Sequence, residues 1–462
     1  MEKEAEKPKT ASFSLLQGEK MSTKFIASGD CFITSGDCFI TRAVPENGYS
    51  GFTELKSLIE SADVRFTNLE MTFHDQEGYP AAASGGTWAM SDPRMLDEVC
   101  KYGFNLFNTA NNHSGDFGQE GMMATIKHLK ERNLVFAGSG KNLREAARAC
   151  YLETGEARVA LIGITSTFDP AAIAGGPSLD LIGRPGLNPL RFKTYHHVND
   201  EHFRMLKELA EISEINNLRT LKTQAGYLAP LPDDTYPFGK LTFKRTEKKE
   251  HNETVPNQAD LERTIQAIKE AKRQADIVLV SLHAHEFLGL DMARPAEFLR
   301  IFAKKCIDAG ASVVIGHGPH ELRGIEKYSG GLIFYSLGNF IFQTETVERQ
   351  PAEAFTNMGL SADSQVGDLM DKRSDGGTRG FVAQKTIWSS ILPMWEVKDG
   401  KITSVVLHPI DLQQQEPRSR RGSPRLTKSE EILLQLRELS KEFNTEIRIQ
   451  DSKGYIDMNE SK

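Results

Sequence analysis

Residues Ser312 to Phe342 read SVVIGHGPHELRGIEKYSGGLIFYSLGNFIF. The runs Ser312-Val-Val-Ile and Leu332-Ile-Phe-Tyr-Ser-Leu are apolar, rich in β-branched and aromatic residues, and too short for helices. Both read as buried strands. Between them, Gly316-His317-Gly-Pro-His320 sets two imidazoles at a strand-to-loop junction. In α/β sheets, ligands from separate strands converge at one edge, so such a junction is the place to look for chemistry.

Upstream, the same rhythm repeats. Phe25-Ile-Ala, Val159-Ala-Leu-Ile-Gly-Ile and Ile277-Val-Leu-Val-Ser-Leu are further candidate strands. Amphipathic helical stretches lie between them, starting at Gly51, Asp92, Gln119, Gln258 and Ala293. Strands alternating with helices imply an α/β sandwich. Two regions break the rhythm: a polar stretch at about 195–257, expected to be an inserted cap, and about 343–380, rich in Ser, Asp, Gly and Gln, expected to be a long loop. The implied division is a flexible tail at 1–22, a main domain at 23–415, and a linker with a C-terminal helix at 416–462. The Arg/Ser run PRSRRGSPR at Pro417 belongs to the linker and reads as solvated.

With 462 residues, 39% of them hydrophobic, the chain can build a substantial core. A formal net charge of -7 argues against a broad nucleic-acid-binding surface and leaves small anionic ligands open. Five widely spaced cysteines do not read as a disulfide framework or a cysteine zinc site. The N-terminal twenty residues lack the apolar stretch of a signal peptide, and no run is long enough for a membrane span. The expected location is cytoplasmic.

Five strand-to-loop junctions carry carboxylate, amide or imidazole. They are Gly-Asp at Asp30 or Asp37, Asn68-Leu-Glu70, Asn111-Asn112-His113 with Asp116, His283-Ala-His285-Glu286, and His317 with His320. A lone His is more often a satisfied core or surface residue, and a lone Asn more often a turn residue. Five such junctions together outweigh those readings, and a mixed O/N donor set suits Mn, Fe or Zn.

At these residues the chain resembles a known family. GDCFITR, TNLEMTF, NTANNHSGDFG, SLHAHEF and the long stretch from Ile315 to Phe342 are similar to the successive motifs of the poly-γ-glutamate capsule-synthesis family (CapA or PgsA), a branch of the calcineurin-like metallophosphatases. The resemblance runs from about Lys24 to Phe342, without the insertion. It implies a four-layer α/β/β/α sandwich with a cap-like insertion, one or two divalent ions (Mn, Zn or Fe), and hydrolysis of a phosphoester or amide-like bond in a small-molecule or peptide-like anionic substrate. The implied metal ligands are Asp37, Glu70, Asn112, His283, His317 and His320. His113 would protonate the leaving group with Asp116 orienting it, and His285, Glu286 and Asn339 would contact substrate. A non-catalytic accessory or ligand-binding role in capsule biosynthesis is the competing expectation.

Two assignments stay open at this level. The superfamily's Asp-x-His motif is absent here, since each Asp of the duplicated heptad SGDCFIT is followed by Cys-Phe. Using Asp37 leaves no seven-residue bulge inside the domain, which favours it over Asp30. His283 and His285 lie on the same face of an extended segment, and His283, directly after the strand, is preferred.

Overall fold

The stretch from Gly331 to Phe342 passes from one β-sheet into another. Gly331–Leu337 lies in a six-stranded sheet and Asn339–Phe342 in a ten-stranded one. Between them Gly338 has φ 72°, a left-handed conformation that glycine takes without the Cβ clash other residues would meet. The computed structural model describes residues 23–32, 44, 46–155 and 157–458. The N-terminal tail and Asp37 fall outside these residues.

The architecture is mixed α/β. In the ten-stranded sheet, Thr23–Phe32 pairs parallel to Val64–Leu69 and to Asn339–Phe342, and antiparallel to Ser389–Lys398. Leu106–Asn108 and Val135–Ala137 extend it in parallel. In the six-stranded sheet Arg158–Thr165, Ile277–His283, Val313–His317 and Gly331–Leu337 run parallel, flanked by antiparallel strands at both edges.

Side-chain alternation explains why the central strands are apolar throughout. Ile277 and Leu279 join a hydrophobic cluster that draws on both sheets, with Phe66, Leu106, Ile315 and Phe334. Val278, Val280 and Leu282 point the other way, into a cluster with Phe298 and Phe302 of the helix Glu297–Ala309. A third cluster packs Leu55, Ile59, Leu96 and Val99 from the first two helices against Phe107 and Ile341. Full burial of one such side chain contributes about 1.5–3 kcal/mol, so these shared clusters hold the sheets and helices together.

The two irregular regions carry structure of their own. Phe192–Pro256 holds a four-stranded sheet with helices at Asp200–Ser213 and Asn217–Gln224. The stretch at 343–380 contains helices Ala352–Thr356 and Val366–Ser374, capped by reciprocal hydrogen bonding of Gln365 and Asp368, and is not irregular throughout.

The C-terminal segment is woven into the fold. Arg425–Leu426 and Lys453–Asp457 both pair with Lys401–Asp411 toward one end of the large sheet, and Leu433 and Leu436 of the helix Glu431–Lys441 enter the inter-sheet cluster. The run at Pro417 is tied down rather than freely solvated, because Arg418 and Arg421 both bind Glu345. Cys100, Cys150 and Cys306 are free thiols. Among the described residues no helix is long and apolar enough to cross a membrane.

Candidate metal centre

Parallel strands bring their C-terminal ends to one edge, and every described junction singled out above lies there. Glu70 is the hub. It follows Val64–Leu69, is fully buried, and its Oε1 lies 3.7 Å from His283 Nε2, 3.8 Å from His320 Nε2 and 4.0 Å from His113 Nε2. A carboxylate in dry surroundings beside three imidazoles is expensive to bury unless cations or protons offset its charge.

The imidazoles are placed by register. His283 and His317 are direct partners in adjacent parallel strands, which sets their Nδ1 atoms 3.0 Å apart. His317 Nε2 lies 2.7 Å from Ser281 Oγ, so both of its ring nitrogens meet protein groups. His283 Nε2 is 3.1 Å from His285 Nε2. Ligands about 2.0–2.1 Å from a tetrahedral zinc stand roughly 3.3 Å from one another, so spacings of this size suit groups sharing an ion. Ligand atoms of Glu70, His285 and His320 all lie within 4.8 Å of one another. This grouping takes in His285, and His283, the residue preferred from the sequence, has its Nε2 3.7 Å from Glu70 Oε1. His283 connects the group to His317.

His320 sits in the left-handed region at φ 63°, a conformation of the kind strained functional residues adopt. Asn339 holds it there, with Oδ1 2.9 Å from His320 Nδ1 and Nδ2 donating to the His320 and Ile387 carbonyls at 3.2 and 3.0 Å. The Asn339 amide is thus engaged by protein, and its effect is to aim His320 Nε2 toward Glu70. Gly318 is required for the approach of this turn, because a Cβ there would stand 2.8 Å from the Ala284 nitrogen and 2.9 Å from His285 Cδ2.

The Asn112–His113 junction closes the other side. Asn112 is buried, its Nδ2 donates to the Gly85 carbonyl at 3.1 Å, and its Oδ1 has no hydrogen-bond partner among the described residues. A buried acceptor left in that state costs about 1–3 kcal/mol, so it fits a position that meets a cation or ligand donor. His113 Nδ1 lies 2.6 Å from Asp116 Oδ2. Asp116 also accepts from the Gly85 and Ala89 N–H groups at 3.0 and 2.8 Å, which fixes its orientation. Gly85 lets its loop rest on this pair, since a Cβ would come within 2.6 Å of Asn112 Nδ2 and 2.9 Å of His113 Cε1.

Both Glu286 oxygens accept protein hydroxyls, Ser166 Oγ at 2.6 Å and Thr167 Oγ1 at 3.0 Å. Asp37 lies outside the described residues, whereas the backbone of Asp30 pairs with Asn68 on one side and Asn339 on the other. Sequence reasoning also passed over Arg323. It is fully buried, donates to the Met292, His285 and Ala284 carbonyls at 2.9, 3.1 and 3.4 Å, and is pushed down to about 10 by desolvation, partly offset by Glu286 and Glu321. Its place in HELRGIE, two residues before Ile325 of the inter-sheet cluster, was the available signal.

The family model for bacterial capsule synthesis protein, PGA_cap, matches residues 24–344, which include every described junction of this edge. The chain belongs to the PGA_cap family. It is 32% identical over 433 residues to the uncharacterized protein y4uA of Sinorhizobium fredii (strain NBRC 101917 / NGR234), covering 90% of each chain. Capsule biosynthesis protein CapA of Bacillus anthracis is 26% identical over 63% of this chain and 53% of its own. PGA biosynthesis protein CapA of Bacillus subtilis (strain 168) is 26% identical over 66% of this chain and 62% of its own. The PGA_cap match ends at residue 344, so the helical stretch beyond it and the C-terminal strands of the large sheet lie outside the matched segment.

Proposed function

We propose that this PGA_cap chain is a metal-dependent hydrolase acting on a phosphoester or an amide-like bond of an anionic substrate, tied to poly-γ-glutamate capsule biosynthesis as the names of its Bacillus relatives suggest. The observation that carries the reading is the His113–Asp116 pair beside Glu70. Asp116, fixed by two backbone donors, accepts from His113 Nδ1, which leaves Nε2 toward Glu70 as the proton-handling atom. A purely structural histidine has no need of that arrangement next to a donor cluster.

Glu70, His285 and His320 would hold a divalent ion such as Mn, Zn or Fe, with Asn112 Oδ1 and His283 available to a second position. When bound, such an ion supplies Lewis acidity and a nucleophilic water near neutral pH. The protein's own part is to place and protonate. His113 Nε2 gives a proton to the departing group, and Asn339 keeps His320 in one tautomer. The burial of Glu70, His283 and His317 excludes bulk water from the donor set.

The same reading takes the layer order as α/β/β/α, supported by one apolar cluster shared by the sheets and two that join helices to each of them. It takes Phe192–Pro256 as a cap. The inserted sheet packs on the helix that starts at the site edge, with the Phe298 N–H donating to Thr254 Oγ1 at 3.0 Å.

The deciding experiment is to strip the protein of metal, reload it with Mn, Zn or Fe, and assay phosphomonoesters, phosphodiesters and γ-glutamyl peptides. Turnover that requires metal and falls in His113→Ala is expected. Stoichiometric metal uptake with no turnover of any of these would overturn the hydrolase reading in favour of an accessory, ligand-binding role.

A further inference from the structure

Beyond SLGNFIF the chain leaves the sheet and returns to the site from the side. A cleft of about 320 Å³ is lined there by Thr344, Glu345, Met370, Arg373, Arg379 and Phe381, among others. It meets the candidate metal centre on two flanks. On one, the Phe381 ring stands edge-on to the His320 ring, centroids 5.4 Å apart. On the other, Arg373 Nη1 donates to Thr87 Oγ1, in the loop whose Gly85 carbonyl receives Asn112 Nδ2.

The charge of the cleft is unbalanced. Its carboxylate neighbours are already engaged: Glu345 by Arg418 at 3.3 Å and by Arg421, and Asp371 by Arg418 at 2.5 Å. Arg373 and Arg379 have no carboxylate within 4.0 Å among the described residues, and Arg379 Nη2 donates only to the Lys372 carbonyl at 3.0 Å. Arg373 and Arg379 thus line the cleft with Glu345, whose charge Arg418 and Arg421 already meet, in a chain whose formal net charge is -7. Arg373 keeps an exposed face toward solvent, yet the crowding of protein atoms lowers its pKa, and no neighbouring charge offsets that. Guanidinium forks in such a setting recognise planar or tetrahedral oxyanions.

We propose that this cleft is a subsite for an anionic group of the substrate, a carboxylate or phosphate set apart from the scissile bond, with Arg373 and Arg379 as its ligands and Phe381 as the wall between it and His320. The assignment rests on the hydrolase reading, which would place the scissile bond at Glu70, His285 and His320. The subsite fixes which substrates enter in register: those carrying negative charge on the flank of the bond that is cut.

Two measurements separate the subsite from the reaction. Calorimetric titration of inorganic phosphate and of glutarate into wild type, Arg379→Gln and Arg373→Gln/Arg379→Gln reads the subsite without turnover. The double variant is expected to bind the preferred anion about tenfold to hundredfold more weakly, because truncating hydrogen bonds to a charged group costs roughly 1.5–3 kcal/mol. Preference for phosphate or for glutarate identifies the source of the oxyanion. Arg379→Gln alone, at an exposed position, keeps the fold testable and should weaken binding at least about threefold. Where turnover is found, the double variant should raise KM for the anionic member of a substrate pair, with kcat near wild type and its neutral amide counterpart unaffected. Equal anion binding by wild type and both variants, or an equal KM change for the anionic and neutral substrates, would overturn the proposal. Absence of turnover in the metal-loaded wild type, with anion binding that the two arginine variants weaken, would instead count only against the hydrolase reading.

Discussion

His113 Nδ1 lies 2.6 Å from Asp116 Oδ2, and that contact aims the imidazole's other nitrogen at Glu70. In the proposed function His113 is the general acid, and general acid catalysis contributes about 10²- to 10⁴-fold. His113→Ala should lower turnover by about that factor while metal content stays near wild type. Asp116→Asn should give a smaller loss and a shifted pH–rate profile. Full activity of His113→Ala on a substrate with a poor leaving group would establish that the imidazole only packs.

Metal uptake should follow the donor cluster. His285→Ala and His320→Ala are expected to lose metal measured by elemental analysis. His317→Ala should lose less, since its Nε2 is turned to Ser281. The backbone of Asp30 pairs with Asn68 and Asn339, so Asp30→Asn should weaken uptake. Asp37→Asn measured beside it tests the seven-residue bulge argument, under which the loss is larger at Asp37.

Arg323 fixes the backbone that carries His285. Arg323→Met removes donors from three carbonyls and should destabilise the fold by about 3 kcal/mol or more. It should also weaken metal binding by roughly tenfold or more, as losses of supporting contacts do. Denaturant unfolding and metal titration measure the two effects, and unchanged metal affinity in a variant that folds would remove Arg323 from the site's support.

His74 is fully buried, and neither ring nitrogen has a partner among the described residues. Burial pushes its pKa down to about 4, partly offset by Glu77. The neutral form is favoured in the folded state, so the associated stability is complete above pH 6.5 and is lost as pH falls from 6.5 toward 4. His74→Met should remove that part of the acid sensitivity, narrowing the fall in unfolding free energy by about 2–3 kcal/mol at pH 4. Urea melts at pH 7.5 and 4 test it; equal falls in both proteins would refute the assignment.

Replacing residues 200–249 with a short linker should alter the substrate range while leaving metal content intact. Unchanged turnover of every substrate would reject a cap role for the insertion.

The sequence by itself determined the strand–helix alternation and the residue types at the strand ends. Both are local: β-branched runs such as Ile277–Leu282 and apolar periods such as that from Gln258 name their own conformations. It also marked Glu70, Asn112, His113, Asp116, His283, His285, His317 and His320 as one set, since a strand's end is legible from its own residues. Which atoms meet was decided only in three dimensions. Parallel register set His283 against His317, the sheet switch at Gly338 brought Asn339 to His320, and the return of the 343–384 stretch laid Phe381 and Arg373 beside the site. Contacts between residues dozens to hundreds of positions apart leave no periodic trace in either partner's neighbourhood. That is why the basic cleft was silent in the sequence and Arg323 was marked only by its place in HELRGIE, while the junctions themselves were not.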